Sequence, residues 1–363
     1  MNNQYIQRIE KIEERLQELL PNHPASAWMD ATFAAIPQSR LEMPDPLLEP
    51  ALDMLFRGGK RWRPLLATLI CEALGGGDAA LPLVPLVELP HNASLIHDDI
   101  EDNSDERRGK PAVHLIYGLD AAINSGCFLY FLPLRCIDEW DAPEDLKSML
   151  YARWGEYMRR LHLGQSIDIY WHTAVRIIPS LADYYQMCAL KTGCLARFAA
   201  ILGGYAGFAH SWGTVQDRCA EAIAALGMGA EKIGVGFQIL DDVKNLTEGN
   251  PGKKRGDDIV EGKKSLPILL LLSRYTDSIS MVERCFAAAR TQGPAAPEVE
   301  ELIAEMEERG VLEDAAAQGE GLIAEGQEML RGYFLDHPLD GQHSPKEAQE
   351  AQELLFGIVD LIR

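Results

Sequence analysis

The sequence predicts an all-α fold, organised as a single large helical domain over residues 1–363. Apolar residues recur at three- and four-residue steps in the segments 6–19 and 299–306, separated by charged residues, as in helices with one buried face. Alternation with a period of two, which marks half-buried strands, is nearly absent. Prolines cluster in 75–85 and 293–297, where helices are expected to end.

The composition limits the class of partner. The chain has 34 Lys and Arg against 55 Asp and Glu, a formal net charge of −21, which argues against nucleic acid because phosphate backbones bind basic surfaces. Small phosphorylated molecules stay possible, since a local basic cluster or bound metal ions suffice for them.

The seven cysteines and the apolar stretches indicate a cytoplasmic protein. The cysteines are scattered and form no Cys-x-x-Cys pair, as expected of reduced thiols. The first twenty residues mix charges with apolar residues and lack the apolar core of a signal peptide. A purely apolar stretch such as 266–272 is far shorter than the ~18 residues of a membrane span, so no transmembrane segment is expected.

A first acidic cluster lies at Asp98, Asp99 and Asp102. On a helix these residues are three or four apart, so all three could share a face. Carboxylates packed so closely repel one another unless a cation neutralises them, and magnesium suits such a site. The alternative is an ordinary solvated acidic face.

Two further acidic pairs strengthen the interpretation of the first cluster as a metal site. Asp241 and Asp242 end the apolar segment 233–240, where a solvated face is not expected. Asp257 and Asp258 follow, and the bases around them are Lys253, Lys254, Arg255, Lys263 and Lys264. Such a mixture suits metal ions and diphosphate oxygens held together, although a flexible charged loop would look similar.

Basic residues form two more groups. Lys60 and Arg63 lie three apart where a helix is expected to start, and Arg107 and Arg108 follow the first acidic cluster. Adjacent side chains point in different directions, so the two arginines could bind two separate anions. Either group alone is more often a surface patch.

Together these residues resemble the trans-type isoprenyl diphosphate synthases, or polyprenyl synthetases, a family that includes the geranylgeranyl diphosphate synthases. The resemblance runs by motif from Leu55 to Leu272. The matching elements are Gly-Gly-Lys-Arg-Trp-Arg-Pro at 58–64, His-Asn-Ala-Ser-Leu-Ile-His-Asp-Asp at 91–99, Arg-Arg-Gly-Lys-Pro at 107–111, Lys-Thr-Gly at 191–193, Phe-Gln-Ile-Leu-Asp-Asp at 237–242, and the segment 252–263.

The resemblance implies a magnesium-dependent prenyltransferase of the isoprenoid synthase fold with a central active-site cavity. It would condense isopentenyl diphosphate with dimethylallyl, geranyl or farnesyl diphosphate to a longer all-trans prenyl diphosphate. The implied magnesium ligands are Asp98, Asp102 and Asp241, supported by Asp99 and Asp242, and these five form the catalytic set with Arg107 and Lys191. The implied ligands of the allylic diphosphate are Arg107, Lys191, Thr192, Gln238, Lys253 and Lys263, and those of isopentenyl diphosphate are Lys60, Arg63, His91 and Arg108.

Two alternatives share part of this pattern. A class I terpene cyclase would not need isopentenyl diphosphate, and Lys60, Arg63 and Arg108 argue against it. A non-catalytic subunit of a heteromeric synthase should have lost acids or basic residues, and both acidic pairs are intact. The sequence departs from the common family pattern at Asn245, where many members have Asp, and at Ser265, where Thr is more usual.

Product length and assembly are also expectations from the resemblance. Ala93 and Ser94, one turn before Asp98, are small, so a C15 chain should pass and the product should be mainly the C20 geranylgeranyl diphosphate. Aromatic residues of the next helix, Phe128, Tyr130 and Phe131, were candidates for the floor of the passage. The family generally forms homodimers, and the same is expected here.

Overall fold

The computed structural model describes residues 2–34, 45–173, 177–212, 217–249, 254–337 and 345–362. These ranges are almost entirely helical, which confirms the all-α prediction. The α-helices are α1 (Asn3–Leu19), α2 (Ser26–Phe33), α3 (Asp45–Phe56), α4 (Trp62–Ala73), α5 (Pro85–Glu101), α6 (Val113–Tyr117), α7 (Leu119–Phe131), α8 (Arg135–Glu139), α9 (Glu144–Thr173), α10 (Leu181–Cys188), α11 (Cys194–Trp212), α12 (Asp217–Thr247), α13 (Asp257–Glu261), α14 (Leu266–Arg274), α15 (Ile279–Gln292), α16 (Pro297–Glu308), α17 (Val311–Asp336) and α18 (Pro345–Ile362).

Shorter elements connect these helices. A π-helical turn, Ala189–Gly193, joins α10 to α11, and 3₁₀ turns cover Gly77–Leu83, Leu132–Leu134 and Thr276–Ser278. Two strands, β1 (Glu106–Arg107) and β2 (Lys110–Pro111), pair antiparallel in a small hairpin after α5.

The chain divides into two compact units. Unit 1 comprises Met1–Gly155, Phe198–Gly227 and Arg331–Arg363, and unit 2 comprises Glu156–Arg197 and Met228–Leu330. The boundaries fall within α9, α11, α12 and α17, so these four helices contribute residues to both units. A single domain over 1–363, with a central cavity, stays a prediction.

Unit 1 is organised around α4, which is apolar on nearly all sides. Its residues Leu65, Leu66, Leu69 and Ile70 are fully buried, as expected of a helix covered on every face. Helix α4 packs against α1 and α18, while α5 packs against α7, and α7 also contacts α3. This packing fixes the helix that bears the first acidic cluster.

Unit 2 has its core around α14. All residues from Leu266 to Leu272 are buried, together with Tyr184 of α10 and Phe286 of α15. The apolar stretch 266–272 is therefore a core helix.

Two longer segments are apolar enough by length and composition to cross a membrane. They are Leu181–His210, whose apolar 18-residue window is 78% buried within the protein, and Cys219–Thr247, whose window is 61% buried. Core helices of globular proteins meet the same criterion. The expected absence of a membrane span stays a prediction.

Within unit 2, α12 and α17 approach closely at two pairs of glycines. A Cβ added at Gly326 would lie 2.5 Å from the carbonyl oxygen of Gly229 and 2.7 Å from Cγ1 of Ile233. Seven residues away on each helix, a Cβ at Gly319 would lie 3.0 Å from the carbonyl oxygen of Gly236. The absence of side chains at both crossings brings α17 against the part of α12 that leads to Asp241.

Gly326→Ala should therefore lower the free energy of unfolding by about 1–3 kcal/mol, because the added methyl overpacks the crossing. The matched control is Gly321→Ala on the same helix, where a Cβ meets no atom within 4 Å. That change should raise stability by up to about 1 kcal/mol through helix propensity. Urea unfolding measures both, and equal effects of the two substitutions would contradict the close approach.

Candidate active site

The first acidic cluster lies at the carboxyl end of α5 in unit 1. Asp98 and Asp102 are partly exposed, whereas Asp99 is fully buried. Asp102 caps the helix, and its N–H donates to the carbonyl oxygen of Asp98 at 2.8 Å. The spacing of the three carboxylates would have allowed them to share one exposed face, but they do not. Asp98 and Asp102 face outward, and Asp99 points into the protein.

Asp99 holds Arg107. Arg107 Nε donates to Asp99 Oδ1 at 2.8 Å, and its Nη2 bonds to the same oxygen and lies 3.5 Å from Asp98 Oδ2. Burial alone would lower the pKa of Arg107, but the Asp99 carboxylate raises it above its usual value. The guanidinium is thus fixed, fully charged, beside the two acids.

Arg107 and Arg108 lie on the hairpin between β1 and β2. Its register pairs Arg107 with Lys110, which leaves Arg108 and Gly109 as a two-residue turn. Both turn residues have positive φ, 53° and 76°, as in a type I′ turn that matches the twist of paired strands. The sequence indicated only a polar link here, because an arginine at the first turn position is not a typical hairpin signal.

A residue that the sequence analysis missed supports this hairpin. Arg57, whose side chain is fully buried, donates through Nη1 to the carbonyl oxygens of Arg107 and Pro111, at 3.1 and 2.9 Å. Asp53 binds the same guanidinium at 2.5 Å. The i, i+4 spacing of Asp53 and Arg57 on α3 was a usable signal.

The basic cluster of unit 1 surrounds His91. Arg63 Nη1 lies 3.3 Å from His91 Nε2. Arg108 turns toward the glycine loop instead, donating to the carbonyl oxygen of Gly58 and lying 3.4 Å from Asn92 Oδ1. The two adjacent arginines, 107 and 108, therefore contact different groups. Lys60 is exposed in the loop before α4.

The charges of this cluster fix the state of His91. Burial lowers the pKa of His91 well below its usual value, and the neighbouring Arg63 and Arg108 lower it further. Since an arginine can only donate, Nε2 accepts from Arg63 and Nδ1 bears the proton of the neutral ring. Burial also lowers the pKa of Arg108 to about 10, an effect that Glu88 opposes. Arg63, Arg108 and a neutral imidazole are thus grouped where an anion could bind.

In unit 2, Lys191 and Thr192 lie in the π-helical turn, an arrangement found often at functional sites. Lys191 Nζ contacts Asp168 Oδ2 at 2.5 Å, and Asp168 Oδ1 contacts His172 Nε2 at 2.7 Å. Gly164, one turn before Asp168, makes room for this turn, because a Cβ there would overlap the backbone of Lys191. The turn thus rests against α9 with its lysine held by a buried acid.

Asp168 is the main residue that the sequence analysis missed. Burial by itself would raise the pKa of Asp168, but Lys191 and then His172 lower it well below its ordinary range. The acid lies between Ile167 and Ile169 with a histidine four residues later, so an ionic residue in a half-apolar helix was the available signal.

The second acidic pair of α12 has two different environments. Asp241 is exposed, whereas Asp242 is buried and accepts from Tyr184 Oη at 2.7 Å and from Gln238 Nε2 at 2.8 Å. Thr192 Oγ1 donates to Gln238 Oε1 at 2.7 Å, which links the π-helical turn to this acid. Burial, then the carboxylate of Asp258, raises the pKa of Asp242 to about 7.

The third acidic pair begins α13. Lys263 Nζ lies 2.6 Å from Glu261 and 3.5 Å from Asp258. Asp257 Oδ2 accepts from the backbone N–H of Lys254 at 2.6 Å. Lys253 lies outside the described residues. Among the residues that are described, no group of three or more His, Cys, Asp or Glu side chains has the spacing of metal ligands.

The departure at Asn245 has a physical reason. Asn245 is buried, accepts from the N–H of Asp258 at 3.1 Å, and lies with Nδ2 at 3.5 Å from the carbonyl oxygen of Lys254. Only an amide can both accept and donate in this way, so an aspartate would lose the second contact. The residue orders the loop before α13.

The residues expected to govern product length are differently placed. Ala93 is fully buried, and Ser94 is partly exposed with Oγ donating to the carbonyl oxygen of His91 at 2.8 Å. Of the floor candidates, Phe128 stacks on Phe33 with ring centroids 5.9 Å apart. Phe131 is 63% exposed, so its assignment to a floor is wrong within the described chain.

The sequence matches a known protein family over most of its length. Residues 45–306 match the family model described as polyprenyl synthetase. The chain is 34% identical over 240 residues to the geranylfarnesyl diphosphate synthase of Aeropyrum pernix, covering 64% of this chain and 72% of that protein. It is 34% identical over 259 residues to the geranylgeranyl diphosphate synthase of Methanosarcina mazei, covering 68% and 76%.

The chain is also similar to part of a larger enzyme and to solved structures. The chain is 33% identical over 226 residues to a bifunctional sesterterpene synthase of Talaromyces wortmannii, of which it spans 28%. The structure of geranylgeranyl pyrophosphate synthetase from Pyrococcus horikoshii superposes with a TM-score of 0.77 at 27% identity, covering 99% of this chain and 97% of that one. The corresponding structure from Geoglobus acetivorans gives 0.74 at 25% identity, covering 98% and 99%.

Asp168→Asn should lower the free energy of unfolding by about 3–5 kcal/mol at pH 7, because the Lys191 ammonium loses its buried countercharge. The control is Glu283→Gln, an exposed loss of charge on α15 of the same unit, which should change little. Denaturant unfolding compares them, and an unchanged stability of Asp168→Asn would contradict the pairing. Since the folded pKa of Asp168 is depressed, its contribution is present above about pH 4 and is lost as the pH falls.

Proposed function

The chain belongs to the polyprenyl synthetase family and is a prenyltransferase, and we propose that it joins isopentenyl diphosphate to an allylic diphosphate (dimethylallyl, geranyl or farnesyl) to give a longer all-trans prenyl diphosphate. The observation that supports this most is the presence in unit 1 of two distinct cationic groups. Arg107 lies with the acids of α5, whereas Arg63 and Arg108 lie around a neutral His91. Two diphosphates need two such groups.

Isopentenyl diphosphate is assigned to the cluster of Lys60, Arg63, His91 and Arg108. The guanidinium groups suit bidentate contact with phosphate oxygens. The imidazole of His91 is neutral and bears its proton on Nδ1, so it adds no further positive charge to the cluster. The acid Glu88 is buried and reaches this cluster through Asn92, whose Oδ1 lies 3.4 Å from Arg108 Nη1.

The allylic diphosphate is assigned to Arg107, Lys191, Thr192, Gln238, Lys253 and Lys263, with the acids Asp98, Asp102 and Asp241. The family generally uses Mg²⁺. The partly exposed carboxylates of Asp98 and Asp102, one helical turn apart, and the exposed Asp241 fit that ion, which prefers one or two carboxylates and phosphate oxygens. When bound, magnesium would neutralise charge on the diphosphate oxygens.

The residues then have separate tasks in the reaction. The C–O bond of the allylic diphosphate breaks, and its electron pair leaves with the diphosphate, whose charge Arg107, Lys191 and Lys263 stabilise. The double bond of isopentenyl diphosphate attacks the allylic cation, and a proton is lost to the departed diphosphate. No side-chain nucleophile is needed. Asp99 and Asp168 take part by holding Arg107 and Lys191 in place.

Two other functions are less well supported. A class I terpene cyclase would leave the cluster around His91 without a ligand, although a relative named as a sesterterpene synthase matches over part of its length. A non-catalytic subunit would not need the complete set of acids on α5 and α12. We also propose that the protein acts in the cytoplasm.

Asp98→Ala and Asp241→Ala should each lower turnover by roughly two orders of magnitude or more, because each removes a proposed magnesium ligand. Wild-type activity with isopentenyl diphosphate and each allylic diphosphate should vanish in excess EDTA and return with Mg²⁺. Asp105→Ala, an exposed acid just after the cluster, is the control and should stay active. Near-wild-type condensation by either variant, with helicity intact, would exclude the assignment.

We propose geranylgeranyl diphosphate as the main product, since small residues precede Asp98 on α5. The relatives named above make products of different names, so the product has to be measured on this chain. Ala93→Phe or Ser94→Tyr should shorten the product to C15 by overfilling the passage. Radiolabelled product analysis with farnesyl diphosphate as starter checks this. A wild-type enzyme that stops at C15, or unchanged product in both variants, would refute it.

We propose a homodimer that pairs through α7. Leu119, Ile123, Cys127 and Phe131 lie four residues apart along α7, and all are exposed. They form one apolar stripe about 18 Å long, at 1.5 Å per residue. Neighbouring Leu115 of α6 is 55% exposed as well. Such a stripe on a surface of otherwise acidic character favours a protein partner.

Ile123→Glu should convert the dimer to a monomer, because a buried unpaired carboxylate in the interface is costly. Light scattering should give twice the 40.2 kDa chain mass for the wild type and the single mass for the variant. Leu335→Glu, at an exposed leucine of α17, is the matched control and should stay dimeric. A wild type of single-chain mass would refute the proposal.

A further inference from the structure

One arginine of the glycine loop faces away from the other cations. Lys60 is exposed and Arg63 partly exposed, but Arg61, between them in sequence, has a side chain that is only 1% exposed. The sequence analysis assigned it no role. A fully charged guanidinium so deeply buried requires partners for its donors.

The partners of Arg61 come from two helices and one backbone carbonyl. Its Nε donates to Glu13 Oε1 of α1 at 2.6 Å, and its Nη1 donates to Glu88 Oε1 of α5 at 2.7 Å. Its Nη2 donates to the carbonyl oxygen of Leu55 at 2.5 Å. The guanidinium thus joins α1, the end of α3 and α5 at one point.

These contacts act on a strained loop. Arg61 has φ of 48°, a left-handed conformation that is unfavourable for a residue with a Cβ. It precedes α4 directly and follows Gly58 and Gly59, both at positive φ. The bonds to Glu13 and Glu88 stabilise this conformation, which sets the directions in which Lys60 and Arg63 leave the loop.

The same contacts extend to Arg108. Glu88 Oε1 also accepts from Asn92 Nδ2 at 3.0 Å, and Asn92 Oδ1 lies 3.4 Å from Arg108 Nη1. Arg108 closes the chain by donating to the carbonyl oxygen of Gly58, and a Cβ at Gly59 would lie 3.1 Å from its Nη2. One buried guanidinium therefore contacts, directly or through Glu88, every element that presents the cluster around His91.

We propose that Arg61 is a positioning residue for the isopentenyl diphosphate subsite and that α1 completes this subsite through Glu13. The inference rests on the proposed function, which assigns Lys60, Arg63 and Arg108 to that substrate. Helix α1, which lies outside the residues 45–306 that match the family model, would thereby take part in binding one of the two substrates. Glu13 also lines a surface groove together with Gly59 and Lys60, so α1 borders the loop beyond this one ion pair.

The two acids differ in a way that makes a clean test possible. Glu88 is buried and serves both Arg61 and Asn92, so its removal would disturb several contacts. Glu13 is partly exposed and binds Arg61, and Glu13→Gln keeps the side-chain shape while removing the charge. The exposed Glu14 offers the same substitution one residue along α1.

The experiment compares steady-state kinetics of the full-length wild type, Glu13→Gln, Arg61→Met, Glu14→Gln and Lys60→Ala, with each substrate varied in turn. Glu13→Gln should raise the KM for isopentenyl diphosphate by roughly 3- to 30-fold, with kcat and the allylic KM within about twofold. Glu14→Gln should match the wild type. Arg61→Met should show the larger effect of the same kind if it folds, and Glu13→Gln decides the question if it does not.

The possible results separate the two proposals. If Lys60→Ala raises the KM for isopentenyl diphosphate but Glu13→Gln does not, the positioning role is refuted and the proposed function stands. If Glu13→Gln raises both KM values and lowers kcat in proportion to a loss of helicity, its role is structural and the inference is again refuted. If the wild type does not consume isopentenyl diphosphate, or Lys60→Ala has no effect on it, the proposed function or its subsite fails, and the inference with it.

Discussion

Buried carboxylates that hold cations in fixed positions are the interaction on which the candidate site residues of each unit depend. Asp99 holds Arg107, Asp168 holds Lys191, and Glu88 holds Arg61. Cationic side chains grouped to bind diphosphate repel one another before the substrate arrives. A buried acid behind Arg107 and behind Lys191 offsets that repulsion. Glu88 instead neutralises a cation that lies inside the protein. The strongly acidic composition of the chain is therefore compatible with anionic substrates.

The fold was predictable because its signals are local. Helical periodicity and prolines at helix ends gave the all-α class, and the ordered motifs gave the family. The charged residues of the site were found from the same local patterns. Asp241 ends an apolar segment, and a role for Lys191 was implied by the family resemblance.

The supporting residues were not predictable, because their roles depend on contacts between distant parts of the sequence. Arg61 and Glu13 are 48 residues apart, and Asp168 and Lys191 are 23 apart. Arg61 and Glu13 look like ordinary surface charges in their own segments, and the local signal of Asp168 is limited to its position in a half-apolar helix. The different environments of two adjacent residues were also not predictable from the sequence. Asp241 is exposed, whereas Asp242 is buried. The packing of α10 against α14 brings Tyr184 into the core next to Asp242. The exposure of Phe131 likewise follows from which face of α7 meets α5.

The hairpin of β1 and β2 has a mechanical consequence. Arg107 and Arg108 are consecutive, and the two-residue turn with both φ values positive matches the twist of the paired strands. Arg57 donates hydrogen bonds to backbone carbonyl oxygens of both strands, at Arg107 and Pro111. The hairpin therefore fixes the spacing of the two arginine Cα atoms, while each guanidinium is held by its own partner, Asp99 for Arg107 and the carbonyl oxygen of Gly58 for Arg108. The acids of α5 and the loop before α4 are thus connected through two consecutive residues.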